Sequence, residues 1–178
     1  STNQRPAQPR LQDLLKDNYV LEFTSLSGNY KERDLEEALL DQLQAFLMEL
    51  GKGFSFVARQ KRVVLNSGKQ FYIDLVFYHF ILKRFVLIDL KITPLSHRDI
   101  GQMDMYVRLY EQKWRGSGDD ATIGLILCPE KDSALEQYST LQDSEQLYAA
   151  TYQLHAPLPN ASAQPVALAG FHANLMAL

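Results

Sequence analysis

Cysteine is almost absent from this chain: its 178 residues include one, Cys128. A lone thiol cannot close an internal disulfide, so the fold must rest on its core, and a reducing, cytoplasmic setting is expected. Cys128 ends the apolar run Ile123-Gly124-Leu125-Ile126-Leu127-Cys128 and reads as a small buried hydrophobe. None of His79, His97, His155 and His172 has the spacing to join it in a zinc site. Long apolar runs are missing too; the longest are strand-length, which excludes a membrane-spanning helix. Residues 1–10 are polar and contain Pro6 and Pro9, with no apolar h-region of a signal peptide. They also lack an initiating Met, which suggests a fragment. No glycine-rich phosphate loop, no Ser-His-Asp or Cys-His grouping and no internal repeat is present. Positive charge is scarce: 18 Lys and Arg against 21 Asp and Glu give a net charge of −3. That balance argues against strong autonomous binding to nucleic acid, while leaving room for a local basic strip.

What is present is ordinary for a globular domain, with 46% hydrophobic and 22% charged residues. The reading is a disordered arm over 1–10, one domain over 11–155 and an Ala/Pro-rich tail over 156–178. Residues 11–26 read as a helical or irregular lead-in, followed by a turn at Gly28-Asn29. Leu35, Leu39, Leu43, Phe46, Leu47 and Leu50 recur at helical spacing, which predicts a helix over 30–50. Asp34 is placed to cap its start and Gly51 to stop it. Strands are predicted over 54–65, 70–79 and 85–92, close enough for an antiparallel meander. Pro94 ends the third. A helix over 98–114 follows, with Met103, Val107, Tyr110 and Trp114 on one face. The apolar segment 121–128 is a strand reached through that helix, hence parallel to a neighbour. A short helix over 133–138 and a strand over 146–154 complete the series. The resulting α-β-β-β-α-β order predicts an α/β fold, a mixed sheet flanked by helices.

Two residues are costly where they stand. Asp74 interrupts Phe71-Tyr72-Ile73-Asp74-Leu75-Val76-Phe77-Tyr78, and Asp89 interrupts Phe85-Val86-Leu87-Ile88-Asp89-Leu90-Lys91-Ile92. Strands apolar on both faces are interior strands, where a carboxylate costs several kcal/mol unless compensated. Two carboxylates on adjacent strands repel unless a cation sits between them. Residues two apart on a strand share a face, so Lys91 can approach whatever Asp89 binds. Carboxylate oxygens suit Mg²⁺, or Mn²⁺, with substrate phosphate completing the shell. Such an ion and a lysine together fit phosphodiester hydrolysis. The plainer alternative is a solvated Asp89–Lys91 pair at a strand end, with Asp74 capping a turn. Glu36 or Glu37, beside the first helix's apolar stripe, could complete the acids, or both could be a solvated first turn. Gln102, early in the second helix, could hydrogen-bond a water or phosphate, or be a surface amide. His79 and His97 could line the site.

These residues resemble a known family. Asp74 followed by Asp89-Leu90-Lys91 is similar to the D…(D/E)-x-K signature of PD-(D/E)XK nucleases. Asp34-Leu35-Glu36-Glu37-Ala38-Leu39, Phe46-Leu47-Met48-Glu49-Leu50-Gly51, Phe71-Tyr72-Ile73-Asp74-Leu75, Gly101-Gln102-Met103 and Thr122-Ile123-Gly124-Leu125-Ile126-Leu127-Cys128 resemble the C-terminal nuclease domain of bacterial YhcG-like (DUF1016) proteins. The resemblance covers residues 11–154. It implies a restriction-endonuclease-like fold, with Glu36, Asp74 and Asp89 as metal-binding acids, Lys91 as the catalytic lysine and Gln102 as the glutamine after the motif. Glu37 stands in if the register slips. The family more often has Glu where this chain has Asp89; either acid fits the signature. The resemblance also implies DNA as partner and an N-terminal DNA-binding region that this chain lacks, which would account for its weak basic character.

Three functions compete at this point. The first is a Mg²⁺-dependent nuclease. The second is a nuclease-fold module that binds nucleic acid or assembles proteins without hydrolysis. The third is an interaction domain that forms a homodimer through aromatic-rich strands. The complete Asp74/Asp89/Lys91 set favours the first.

Overall fold

The computed structural model describes residues 15–22 and 29–155. The expected arm and tail, and half of the lead-in, lie outside these residues. Six strands form one sheet in the order β1-β6-β5-β4-β3-β2. Phe54–Val64 (β2), Gln70–His79 (β3) and Arg84–Leu90 (β4) make the expected antiparallel meander. Ile123–Cys128 (β5) lies parallel to β4, and Leu147–His155 (β6) parallel to β5.

Asn18–Glu22 (β1) corrects the lead-in reading. It is a strand, parallel to β6, in which Tyr19 and Leu21 are buried and Val20 faces out. Alternation over five residues, with two buried side chains, is too short to register as a pattern.

The predicted helix over 30–50 is two helices, Glu32–Asp41 (α1) and Leu43–Leu50 (α2), broken at Gln42. Leu35, Leu39, Phe46 and Leu50 are all buried, so the apolar stripe runs on across the break and hides it. The break sets α2 against β1. Asp34 is not the N-cap. Lys31 is, and its N–H donates to Asp34 Oδ2 at 2.8 Å, so Asp34 closes the cap from the third helical position.

His97–Lys113 (α3) starts at Ser96, whose Oγ accepts from the Asp99 N–H. Met103, Val107 and Tyr110 are buried as expected, whereas Trp114 ends the helix and stays 37% exposed. Ser133–Gln137 (α4) is the short helix. Among the described residues no helix is long and apolar enough to cross a membrane.

The sheet carries a core on each face. Leu75, Phe77, Val86, Ile88 and Leu90 pack with α1 and α2; Val76, Leu87, Ile126 and Cys128 pack with α3. Gly124 lets α3 sit directly on β5, since a Cβ there would lie 2.5 Å from Met103 Cγ.

One irregularity positions the site. The β2–β3 ladder passes from Arg59↔Leu75 to Lys61↔Ile73, with Gln60 and Asp74 left out between. Residues two apart should share a face. Here Leu75 packs on the α1 side and Ile73 on the α3 side. Gln60, at φ 46°, stands in the left-handed region at this change of face.

Candidate active site

Asp74 stands on β3 where the ladder is interrupted, which leaves its carboxylate free to turn toward β4. Its Oδ2 accepts from the backbone N–H of Leu90 at 2.8 Å, and its own N–H points at Asp89 Oδ1 at 3.4 Å. The two acids are therefore neighbours across β3 and β4, as their spacing predicts. Asp89 is only 3% exposed. Burial pushes Asp74 up to about 6, against the Leu90 hydrogen bond, with the charge of Glu36 adding to the rise. Burial pushes Asp89 up to about 7, and the Asp74 charge adds to it. At both carboxylates burial outweighs the hydrogen bond accepted and the charge of Lys91.

Glu36 completes the acidic set from α1. It is buried, while Glu37 is exposed and pairs with Arg33 at 3.2 Å. Burial raises the Glu36 carboxyl, with Gln60 and Arg59 opposing. The amide nitrogen of Gln60 donates to Glu36 Oε2 at 2.5 Å and to Asp74 Oδ1 at 3.0 Å. Arg59 Nε stands 3.4 Å from Glu36 Oε1 but out of hydrogen-bond alignment, so that oxygen is buried without a hydrogen-bond donor among the described residues. Glu32, Arg33, Glu36, Arg59, Gln60 and Asp74 line one open cleft.

β4 ends at Leu90, two residues earlier than expected, because the chain turns away toward Pro94. Lys91 is still held in place. Its N–H donates to Leu127 O at 2.8 Å, and its carbonyl accepts from the Tyr152 hydroxyl at 2.7 Å. Leu90 points into the α1-side core. The Lys91 side chain is 17% exposed, and its charge lowers both Asp74 and Asp89. Its Nζ also stands 4.0 Å from Asp99 Oδ1.

Not every expected residue joins the cluster. Gln102 is half-buried on α3 and makes no hydrogen bond to the three acids among the described residues. His79 is a core residue, wedged against Gly53, where a Cβ would lie 2.3 Å from its ring. Burial lowers its pKa. His97 is exposed at the start of α3, so neither histidine lines the acids. Two residues that the sequence did not single out do belong. One is Gln60. The other is Tyr106, whose hydroxyl donates to Tyr72 O at 3.2 Å and whose pKa is raised by burial and by Asp89 and Asp74. The one sequence cue for Gln60 is the polar block Arg59-Gln60-Lys61-Arg62 inside a strand.

Three carboxylates are hard oxygen donors of the kind Mg²⁺ takes, and it needs only one or two besides water. The undonated Glu36 Oε1 and the raised aspartates fit such an ion. Among the described residues no three acids, histidines or cysteines stand in ready-made ion-holding geometry. Gln60 holds Glu36 and Asp74 through its amide instead.

A family model described as the YhcG PDDEXK nuclease domain matches residues 12–166. The chain belongs to this family. It is 36% identical over 154 residues to "Putative nuclease YhcG" of Escherichia coli (strain K12), covering 85% of this chain and 41% of that protein. This YhcG-family domain thus spans under half the length of the curated relative. A solved structure of an EndoMS–dsDNA2 complex has the same kind of fold, with a TM-score of 0.50 at 17% identity, over 71% of this chain and 45% of that one. The six-stranded mixed sheet with flanking helices is a restriction-endonuclease-like α/β fold. In the YhcG PDDEXK domain, that fold brings Asp74, midway along β3, and Asp89, near the end of β4, together beside Lys91.

Proposed function

We propose that this domain hydrolyses phosphodiester bonds of DNA with the help of Mg²⁺ or Mn²⁺. The observation that carries the reading is the meeting of Glu36, Asp74 and Asp89, from three separate elements, beside Lys91, with both aspartates interrupting apolar runs. Family membership supports nuclease chemistry, and the solved relative of like fold is named as a complex with dsDNA. When bound, a divalent cation would polarise a phosphoryl oxygen and acidify an attacking water. Asp74, Asp89 and Glu36 would hold it. Lys91, on the Asp89 side, would orient the water and stabilise charge building on the phosphorus. Gln102 would reach a water or phosphate from α3. Gln60, which bridges Glu36 and Asp74, would keep the two carboxylates side by side.

The second reading, a nuclease-fold module without hydrolysis, is favoured by the absence of ready ion-holding geometry among the described residues and by the Gln60 bridge. One assay separates the two. Supercoiled plasmid and linear DNA are incubated with the chain and Mg²⁺ or Mn²⁺, beside EDTA and Lys91→Ala controls. Cleavage lost in both controls is expected, with Lys91→Ala down about 100-fold or more and Mn²⁺ affinity kept. Cleavage by Lys91→Ala at the wild-type rate would refute the mechanism. Metal-independent binding with no cleavage would establish the second reading for this chain.

A further inference from the structure

Acidic and basic residues are unevenly distributed along the chain. Residues 50–73 hold five of the 18 Lys and Arg, namely Lys52, Arg59, Lys61, Arg62 and Lys69, and none of the 21 Asp and Glu. The excess negative charge of the whole chain therefore lies outside this stretch.

The stretch forms the outer edge of the sheet. Among the described residues β2 pairs on one side only, and Val63 is its one buried residue. An exposed eleven-residue edge invites pairing with another chain, and lysines or arginines along it are a common block. Edge protection accounts for charges on such a strand. It does not account for the aromatic rings exposed among them. Lys61 Nζ and Lys113 Nζ stand 5.3 Å and 6.0 Å from the centroid of the Trp114 ring. On the opposite face of the same edge, Tyr72, 49% exposed, sits directly across the ladder from Arg62. Cations interleaved with exposed rings suit a chain of phosphates and bases.

The strip also leads to the carboxylates. Arg59 stands against Glu36, and Gln60 bridges Glu36 and Asp74. From Arg59 to the turn after Val64 the strand runs about 20 Å at roughly 3.3 Å per residue. That is about six steps of a nucleic-acid strand at 3.4 Å each.

We propose that the outer edge of β2, the β2–β3 turn and the C-terminal end of α3 form the track along which a nucleic-acid backbone reaches the acidic site. A backbone lying along this edge meets Lys61, Lys113 and Trp114 from the α3 face and Arg62 and Tyr72 from the opposite face, with Lys69 in the turn between. This rests on the nuclease reading and assigns its substrate path.

The test reads binding apart from cleavage. Fluorescence anisotropy is measured in EDTA with a labelled 20-base duplex and with its single strand, across a salt series. The chain is compared with its Lys61→Ala/Arg62→Ala/Lys69→Ala triple variant and with Arg108→Ala, an exposed basic residue on α3 outside the strip. Circular dichroism melts establish that each variant is folded. The triple variant should bind at least tenfold more weakly, and its slope of log K against log salt should shrink by about 2–3. Arg108→Ala should match wild type. A folded triple variant with wild-type affinity would overturn the track, and if it also self-associates, the charges serve edge protection. Metal-dependent cleavage by the wild-type chain would leave the nuclease reading standing in either case. A wild-type chain that neither binds nor cleaves would overturn both.

Discussion

The amide nitrogen of Gln60 lies 3.0 Å from Asp74 Oδ1, on the strand next to it. The same nitrogen donates to Glu36 Oε2, so one neutral donor ties two carboxylates that would otherwise repel. Removing it should matter most when no cation is present. Gln60→Ala is expected to cost about 1–2 kcal/mol of stability in EDTA and clearly less in saturating Mn²⁺. Paired melts with and without metal check this. Equal losses in both would mean that Gln60 acts through its left-handed backbone alone.

The pH dependence of the metal-free domain follows from the two aspartates. Burial holds Asp74 at about 6 and Asp89 at about 7, above the ordinary 3.8. A raised folded-state value means that the native state binds these protons more tightly than the unfolded chain does. The stabilisation is complete below about pH 4 and is lost as pH rises through about 6 and then about 7. Stability in EDTA should therefore fall across that window by on the order of a few kcal/mol, which thermal melts read as a lower melting temperature. Asp89→Asn should flatten the fall. Parallel curves for wild type and Asp89→Asn would show that some other group carries the effect.

Glu36 and Glu37 offer a sharp contrast at adjacent positions. Glu36 is buried against Gln60, and Glu37 is on the surface with Arg33. Glu36→Gln should weaken Mn²⁺ binding about tenfold or more in isothermal titration, and slow plasmid cleavage. Glu37→Gln should leave both unchanged. The reverse ranking would put the wrong face of α1 at the site.

Gly124 permits the close approach of α3 to β5. Gly124→Ala should drive Met103 and Val107 out of position and cost about 1–3 kcal/mol. Urea unfolding measures it, and a variant as stable as wild type would show that α3 can shift freely.

The parts legible in the sequence are those where a residue conflicts with its surroundings. Asp74 and Asp89 stood out because a charge in a strand apolar on both faces is expensive, and the meander showed itself through those same runs. Glu36 and Glu37 were inseparable because both border the stripe of α1; only packing on the sheet buries one. Gln60 left almost no trace, since an amide in a polar block looks like any exposed edge. Its role comes from a left-handed backbone and a ladder gap that no side-chain pattern encodes. The break at Gln42 was hidden because the leucine spacing continues across it, and β1 because two buried residues make no period.

β1 and β6 pair in register from Asn18↔Thr151 to Glu22↔His155, across 133 residues of chain. During synthesis β1 leaves the ribosome before β6 and must wait for it. At about 5–20 residues per second that interval is roughly 7–27 s. The meander of β2, β3 and β4 closes over short turns and can form in the meantime. Tyr19 and Leu21 keep their apolar side chains in water, or in the care of a chaperone, until β6 arrives. The acidic site, built from α1, β3 and β4, can thus assemble before the sheet that carries it is complete.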